Sequence, residues 1–245
     1  MIKNNTLVLA TDLDGTFLGG SPQERQEFYD YLESHRDRLL LIFVTGRSLE
    51  FTLRLYDDKN FRIPRPDYII GDVGTTVYEG KTLKPVAEVQ NWIANIWGNS
   101  SEFAQQLLVD EPGLTLQPLS PEYRVSYYYQ PDQNQQRIIQ KIQDAGFQCI
   151  TSADKYLDIL PKGVAKGSTL LKLIDFLNLS PQQVITSGDS LNDLPLFETG
   201  LNSIAVGNSE LKLVEKIQTL KNVYYSDLPG VSGILDGLQY YGKTF

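Results

Sequence analysis

Short apolar runs recur along this chain, and stretches with helical spacing lie between them. Thr6–Leu13, Leu39–Thr45 ("LLLIFVT") and Asp67–Ile70 ("DYII") open the series. Strands this apolar need cover on both faces, and parallel neighbours need long connections, so the rhythm predicts a parallel sheet joined by crossover helices. Ser48 is suited to cap a helix over Ser48–Asp57. The sheet is under way by residue 70.

After Gly80 the rhythm changes. A hairpin is expected around "YEGKTLKPV", helices near Glu88–Trp97 and Ser101–Leu108, and a strand at Tyr123–Tyr129. A helix over Asp132–Ala145 and strands near Phe147–Thr151 and Tyr156–Leu160 complete the block. From Lys166 the first rhythm resumes, with a helix at Ser168–Leu177, the strand "QQVITS" and a further helix from Asn192. "NSIAV" and "NVYYS" then supply two strands, with a helix at Ser209–Leu220 between them. The expected architecture is α/β: a doubly wound, Rossmann-like core in residues 1–80 and 161–245, interrupted by an α+β cap over 81–160.

Composition narrows the function. A formal charge of −8 lacks the clustered Lys and Arg that a nucleic-acid surface needs. Cys149 and His35, the single members of their types, give neither an intramolecular disulfide nor a zinc cluster. The opening "MIKNNTLVLATD" has an apolar run that ends in an acid, unlike a secretory or membrane-spanning segment, so a cytoplasmic location with no membrane partner is expected.

The acids cluster where the strands end. In "ATDLDGTFLGG" a strand delivers Asp12 and Asp14 two residues apart, at the edge where doubly wound sheets bind ligands. Close carboxylates repel unless a cation stands between them, and Mg²⁺ prefers such hard oxygen ligands. For an isolated pair, turn aspartates capping backbone amides are the plainer explanation. A second strand, however, ends in "ITSGDSLNDLP", bringing Asp189 and Asp193 to the same neighbourhood, one for direct and one for outer metal contact. "VTGRS" offers the Thr45 hydroxyl and a close backbone approach at Gly46 before a helix start, and "AKGS" offers the Lys166 charge.

The ordered set "DLDGT" at Asp12–Thr16, "TGRS" at Thr45–Ser48, Lys166 and "GDSLND" at Gly188–Asp193 resembles the four motifs of the haloacid dehalogenase superfamily of phosphotransferases. The insert looks like the cap of the Cof-type group. "PDYIIGDVGTTVY", "YLDILPKGVAKG" and "AVGNSEL" are similar to the sucrose-phosphate phosphatase family, with its mannosylfructose-phosphate phosphatase relatives.

The resemblance implies a Mg²⁺-dependent phosphomonoesterase acting on a small-molecule sugar phosphate. Asp12 would attack phosphorus and Asp14 would serve as acid and then base. Thr45, Gly46 and Lys166 would hold the phosphate. The metal would take the Asp12 carboxylate, the Asp14 carbonyl and Asp189, with Asn192 and Asp193 in support. Asp72 departs from the expected pattern: it either alters phosphate affinity or caps its own turn. Arg47 either pairs with an acid or reaches substrate.

In the cap, strand alternation sends Tyr123, Val125, Tyr127 and Tyr129 to one face, which suits a core. Arg124, Ser126 and Tyr128 take the other. Arg124, Ser126 and Asp158 are the expected sugar contacts, with Lys162 at the rim. A noncatalytic partner of a sugar-phosphate synthase is the alternative of another class, and the intact Asp12, Asp14, Lys166 and Asp189 count against it. A phosphosugar mutase on the same core is a third.

Overall fold

The runs read as strands are the most completely buried segments of the chain. A computed structural model describes residues 6–57, 62–118, 121–130 and 134–245. Its first half contains β1 (Leu7–Thr11), α1 (Pro22–Ser34), β2 (Leu39–Val44), α2 (Leu49–Leu53), β3 (Tyr68–Gly71), β4 (Thr76–Glu79) and α3 (Ala87–Trp97). Next come α4 (Ser101–Gln106), β5 (Leu114–Leu116), β6 (Val125–Tyr129), α5 (Gln135–Asp144), β7 (Gln148–Ser152) and β8 (Tyr156–Leu160). The chain closes with α6 (Lys166–Phe176), β9 (Val184–Gly188), α7 (Leu194–Phe197), β10 (Asn202–Ala205), α8 (Leu211–Ile217), β11 (Val223–Tyr225) and α9 (Gly230–Tyr240).

Seven strands form one sheet in the order β11-β10-β9-β1-β2-β3-β4. All neighbours are parallel except β4, which returns antiparallel to β3. The strand order reverses at β1: the chain leaves it towards β2 on one side and comes back as β9 on the other. The carboxyl ends of β1, β2 and β9 therefore flank the crevice where such sheets bind ligands.

Alternation along each strand divides the core between the two faces. Val8, Ala10, Ile42 and Val44 pack with Val89, Ile93, Leu170 and Leu173 on one side. Leu7, Leu9, Leu41 and Phe43 pack with Phe28, Tyr29, Leu32, Ile234 and Leu238 on the other.

A second, antiparallel sheet has the order β5-β6-β8-β7. Val125, Tyr127 and Tyr129 join Ile138, Ile142, Leu157 and Ile159 in its own cluster. Helix α3 serves both bodies: Val89 and Ile93 enter the core of the large sheet, while Trp97 enters that of the small one. At the tip of the β7–β8 turn, Asp154 accepts from Lys212 of α8 at 2.6 Å.

Several elements differ from the sequence reading. The helix expected from Asn192 is a tight turn over Leu191–Asp193 followed by the four-residue α7, which Pro195 opens. The strand expected from Tyr123 joins its ladder only at Val125. Helix α5 begins at Gln135, and residues 131–133 lie outside the described set. Helices α1 and α9 were assigned no element. Ser21 starts α1 with a reciprocal capping box to Glu24, and Pro22 follows in the first turn. No helix among the described residues is long and apolar enough to cross a membrane.

Candidate active site

Strand β1 ends at Thr11, and the chain then folds Leu13–Phe17 into one wide turn. The Asp12 amide donates to the Ser187 carbonyl at 2.9 Å, tying this turn to the end of β9. Gly15 is required on two counts: its φ of 82° lies in the left-handed region, and a Cβ there would stand 2.3 Å from Asp189 Oδ2. Beside it, the Thr16 hydroxyl donates to Asp189 Oδ1 at 2.6 Å.

Lys166, first residue of α6, is fully buried beneath this turn. Its ammonium donates to Asp12 Oδ1 and to Asp193 Oδ1, each at 2.6 Å. Burial alone would lower the Lys166 pKa, but the two carboxylates outweigh it and hold the group above its ordinary value. Asp12 is pushed well above the usual carboxylate range, first by burial and then by the Asp193 charge. Asp189 is raised to about 7, again by burial and then by Asp193.

Oxygens of Asp12, Asp189 and Asp193 lie within 4.8 Å of one another, and the Asn192 Oδ1 is buried without a partner. Three carboxylates against one ammonium make a hard-oxygen donor set suited to a divalent cation, and Asn192 lines the same cavity as Asp12 and Asp189. Asp193 has further duties: its Oδ2 accepts from the Asp189 and Ser190 amides at 3.1 and 3.0 Å. Its placement makes it the anchor of the Asp189 loop and of Lys166.

At the end of β2, the Thr45 hydroxyl accepts from the Arg47 amide at 3.1 Å and is wholly buried. The Arg47 guanidinium forms a fork on Asp14, Nε to Oδ2 at 2.8 Å and Nη2 to Oδ1 at 2.6 Å. Asp14 is the more open of the two motif acids; Asp12 is 4% exposed, as its buried partners require.

Arg124 reaches from the small sheet to the large one. Its Nη2 donates to Asp72 Oδ1 at 3.1 Å, and its Nη1 approaches Asp158 Oδ1 and the Gly46 carbonyl, each at 3.4 Å. Asp72 also accepts from the Thr76 hydroxyl at 2.9 Å. The Asp72 side chain thus bonds within its own turn, as one of its two readings expects, and also pairs with the Arg124 cation. Ser126, opposite Asp158 in the β6–β8 register, donates to Asp158 Oδ1 at 2.5 Å.

One cavity of about 570 Å³ takes Asp12, Asp14, Gly46, Arg47, Asp189 and Asn192 on the core side. Arg124, Asp158, Gln117, Ser152 and Tyr156 face it from the side of the small sheet. Thr45, Lys166, Asp193 and Ser126 stand behind this wall, each bonded to a residue within reach of it. Lys162 is exposed and does not line the cavity. The sequence reading missed Glu210, which also lines it and accepts from the Leu191 amide at 3.1 Å. Gln117 and Ser152 belong to no motif and reach the site only through the fold, whereas Tyr156 and Glu210 stand in "YLDILPKGVAKG" and "AVGNSEL".

Residues 5–242 match the family model of sucrose-6F-phosphate phosphohydrolase. A glucosylglycerol-phosphate synthase of Pseudomonas anguilliseptica is 38% identical over 96% of this chain but only 31% of its own length. A mannosylfructose-phosphate phosphatase of Agrobacterium fabrum is 28% identical over 96% of both chains. A sucrose-phosphatase of Nicotiana tabacum is 28% identical over 85% of this chain and 52% of its own. The chain thus spans about a third of the synthase and about half of the plant relative.

Among solved structures, the sucrose-phosphatase of Synechocystis sp., determined with sucrose and phosphate, superposes with a TM-score of 0.88 at 24% identity. That match covers 97% of this chain and 98% of the other. A haloacid dehalogenase-like hydrolase from Bacillus subtilis gives 0.69 at 21% identity, covering 98% and 93%. These likenesses establish the fold.

Proposed function

The chain belongs to the sucrose-6F-phosphate phosphohydrolase family of haloacid dehalogenase-like phosphatases, and from that premise we propose that it hydrolyses a phosphorylated disaccharide or close glycoside, sucrose 6-phosphate first. The observation that carries this reading is the meeting of Asp12, Lys166 and Asp189 at the strand ends beneath a cap wall lined by Arg124 and Asp158. Mannosylfructose phosphate is the next candidate, from the Agrobacterium relative.

In the proposed reaction an Asp12 carboxylate oxygen bonds to phosphorus as the bond to the sugar oxygen breaks. Asp14 gives a proton to the departing alkoxide, a step for which the Arg47 fork, which engages both Asp14 oxygens in this structure, must first open. In the second step Asp14 takes a proton from water, whose oxygen attacks the aspartyl-phosphate and releases inorganic phosphate and free Asp12. Gly46 would meet the phosphate at the cavity wall, where charge builds on the equatorial oxygens, while Lys166 acts from behind the wall through its bond to Asp12. Mg²⁺, held by Asp12, Asp189 and the Asn192 side, would supply positive charge against the phosphate. The cap over 81–160 would select the sugar and exclude water.

A second reading has its own support. The 38% identity to part of a glucosylglycerol-phosphate synthase favours glucosylglycerol phosphate as substrate, since the compound such a synthase makes is itself a phosphomonoester. A synthase partner is the reading of a different class. Phosphate release, with and without Mg²⁺, is the test, across sucrose 6-phosphate, mannosylfructose phosphate, glucosylglycerol phosphate, trehalose 6-phosphate and hexose phosphates. Preference for one glycoside phosphate identifies the substrate. Absence of release from all of them, in folded protein that binds Mg²⁺, favours the noncatalytic partner.

A further inference from the structure

Asp72 sits in a backbone conformation that side chains seldom take, at φ 51°, and Val73 follows at φ 60°. Asp tolerates the left-handed region; a β-branched valine there is a genuine outlier. The turn is held by bonds to the loop that follows β2: the Asp72 amide donates to the Arg47 carbonyl at 2.9 Å and the Val73 amide to the Thr45 carbonyl at 3.1 Å. Strain that persists at a site is maintained by its surroundings and points to a use.

Its result is to aim the Asp72 carboxylate at Arg124, with both side chains over nine-tenths buried. The guanidinium spends one Nη2 hydrogen on Asp72 and its Nη1 on Asp158 and Gly46, while the Nε–H is buried without a partner. Two carboxylates face this one cation. Among the described residues lining the cavity, both cations are already paired, Arg47 with Asp14 and Arg124 with Asp72 and Asp158.

A second anion on a substrate would find no free positive charge at the cap end, and would meet the surplus carboxylate instead. Sugar hydroxyls suit the same place, since each can donate to Asp158. We infer that Asp72 is a specificity-determining positioning residue that fixes Arg124 across the cap–core boundary and cancels its charge, restricting the substrate beyond its phosphate to an uncharged polyhydroxy group. This rests on the sugar-phosphate phosphatase reading.

The test measures kcat and KM for the native protein and for Asp72→Asn, which keeps the shape and the tolerance for this backbone but loses the charge. The substrates are p-nitrophenyl phosphate, sucrose 6-phosphate, glucose 6-phosphate and glucose 1,6-bisphosphate. The native protein should prefer glucose 6-phosphate over the bisphosphate at least 30-fold in kcat/KM, and Asp72→Asn should shrink that preference at least tenfold. The KM for sucrose 6-phosphate should rise at least tenfold further than that for p-nitrophenyl phosphate. Equal native rates on the mono- and bisphosphate overturn the inference whether or not the variant folds, and an equal loss on every substrate reduces Asp72 to a structural residue. Turnover of p-nitrophenyl phosphate alone rejects the sugar-phosphate reading instead.

Discussion

The Lys166 ammonium lies 2.6 Å from the Asp12 carboxylate in complete burial, although 154 positions separate the two in the chain. It bonds Asp193 at the same distance, so a single cation holds together the ends of β1 and β9 and the start of α6. Replacing Lys166 with Met should leave two carboxylates buried without their partner. Breaking such a pair costs about 3–5 kcal/mol. Urea unfolding in the presence of a chelator should register that loss, together with near-complete loss of phosphate release; an unchanged midpoint would contradict the cross-link.

The Asp12→Asn substitution separates chemistry from stability. Burial and the Asp193 charge both oppose ionisation of Asp12. A neutral amide of the same shape removes that repulsion, so the melting temperature of the metal-free protein should hold or rise. Turnover should fall at least 10³-fold, because an amide cannot form the phosphoenzyme. Near-normal turnover would remove Asp12 as nucleophile.

Asp189 gives the metal-free protein a pH dependence whose sign follows from its environment. Unfolded, its carboxyl titrates near the ordinary value of about 4; folded, burial and then Asp193 raise it to about 7. Between those values the folded state binds a proton that the unfolded state does not, so stability falls as pH rises through the window and levels off above it. A cation needs the ionised form and reverses the trend. Melting curves in chelator should drop from pH 5 to pH 7.5, and the increase produced by Mg²⁺ should be larger at pH 8 than at pH 5.5. For a chain of this size 1 kcal/mol moves the melting temperature by about 2–4 °C. Asp189→Ala should flatten both responses; the same Mg²⁺ response in that variant would exclude Asp189 as a ligand.

The sheet was legible because its strands are apolar along their length, as in "LLLIFV" of β2, and Asp12 and Asp189 were legible because each stands directly after a strand. Helix α1 was hidden by composition: only Phe28, Tyr29 and Leu32 of its thirteen residues are buried, and its clearest signal was the Ser21–Glu24 capping box. Helix α9 was hidden by glycine. Gly237 lowers helix propensity, yet a Cβ there would stand 2.5 Å from Ile204 Cγ1, so packing against β10 takes precedence over propensity. The cap wall was only half visible. Alternation put Arg124 and Ser126 on one face, but the pairing of Arg124 with Asp72 joins parts of the chain 52 positions apart and leaves no local pattern. Gln117 and Ser152 enter the cavity by the same route, through topology rather than motif.

Gly15 offers a test of how closely the two acid-bearing loops are fitted. A Cβ at this position would lie 2.3 Å from Asp189 Oδ2 and 2.9 Å from its Cγ, so Gly15→Ala must displace the Asp189 carboxylate or the Leu13–Phe17 turn. It also places alanine at φ 82°, a conformation L side chains rarely take. Backbone strain of this kind costs about 1–3 kcal/mol. Gly98→Ala is the control, since Gly98 has φ 57° and nothing within 4 Å of its would-be Cβ. Both variants should lose stability in urea through backbone strain. Only Gly15→Ala should also lose phosphate release at least 10²-fold and need more Mg²⁺ for half-maximal rate, because only there does the added methyl group press on the Asp189 carboxylate. Equal residual activity in the two variants would mean that the Asp189 position tolerates displacement, and would remove the close fit between the β1 and β9 loops from the account of catalysis.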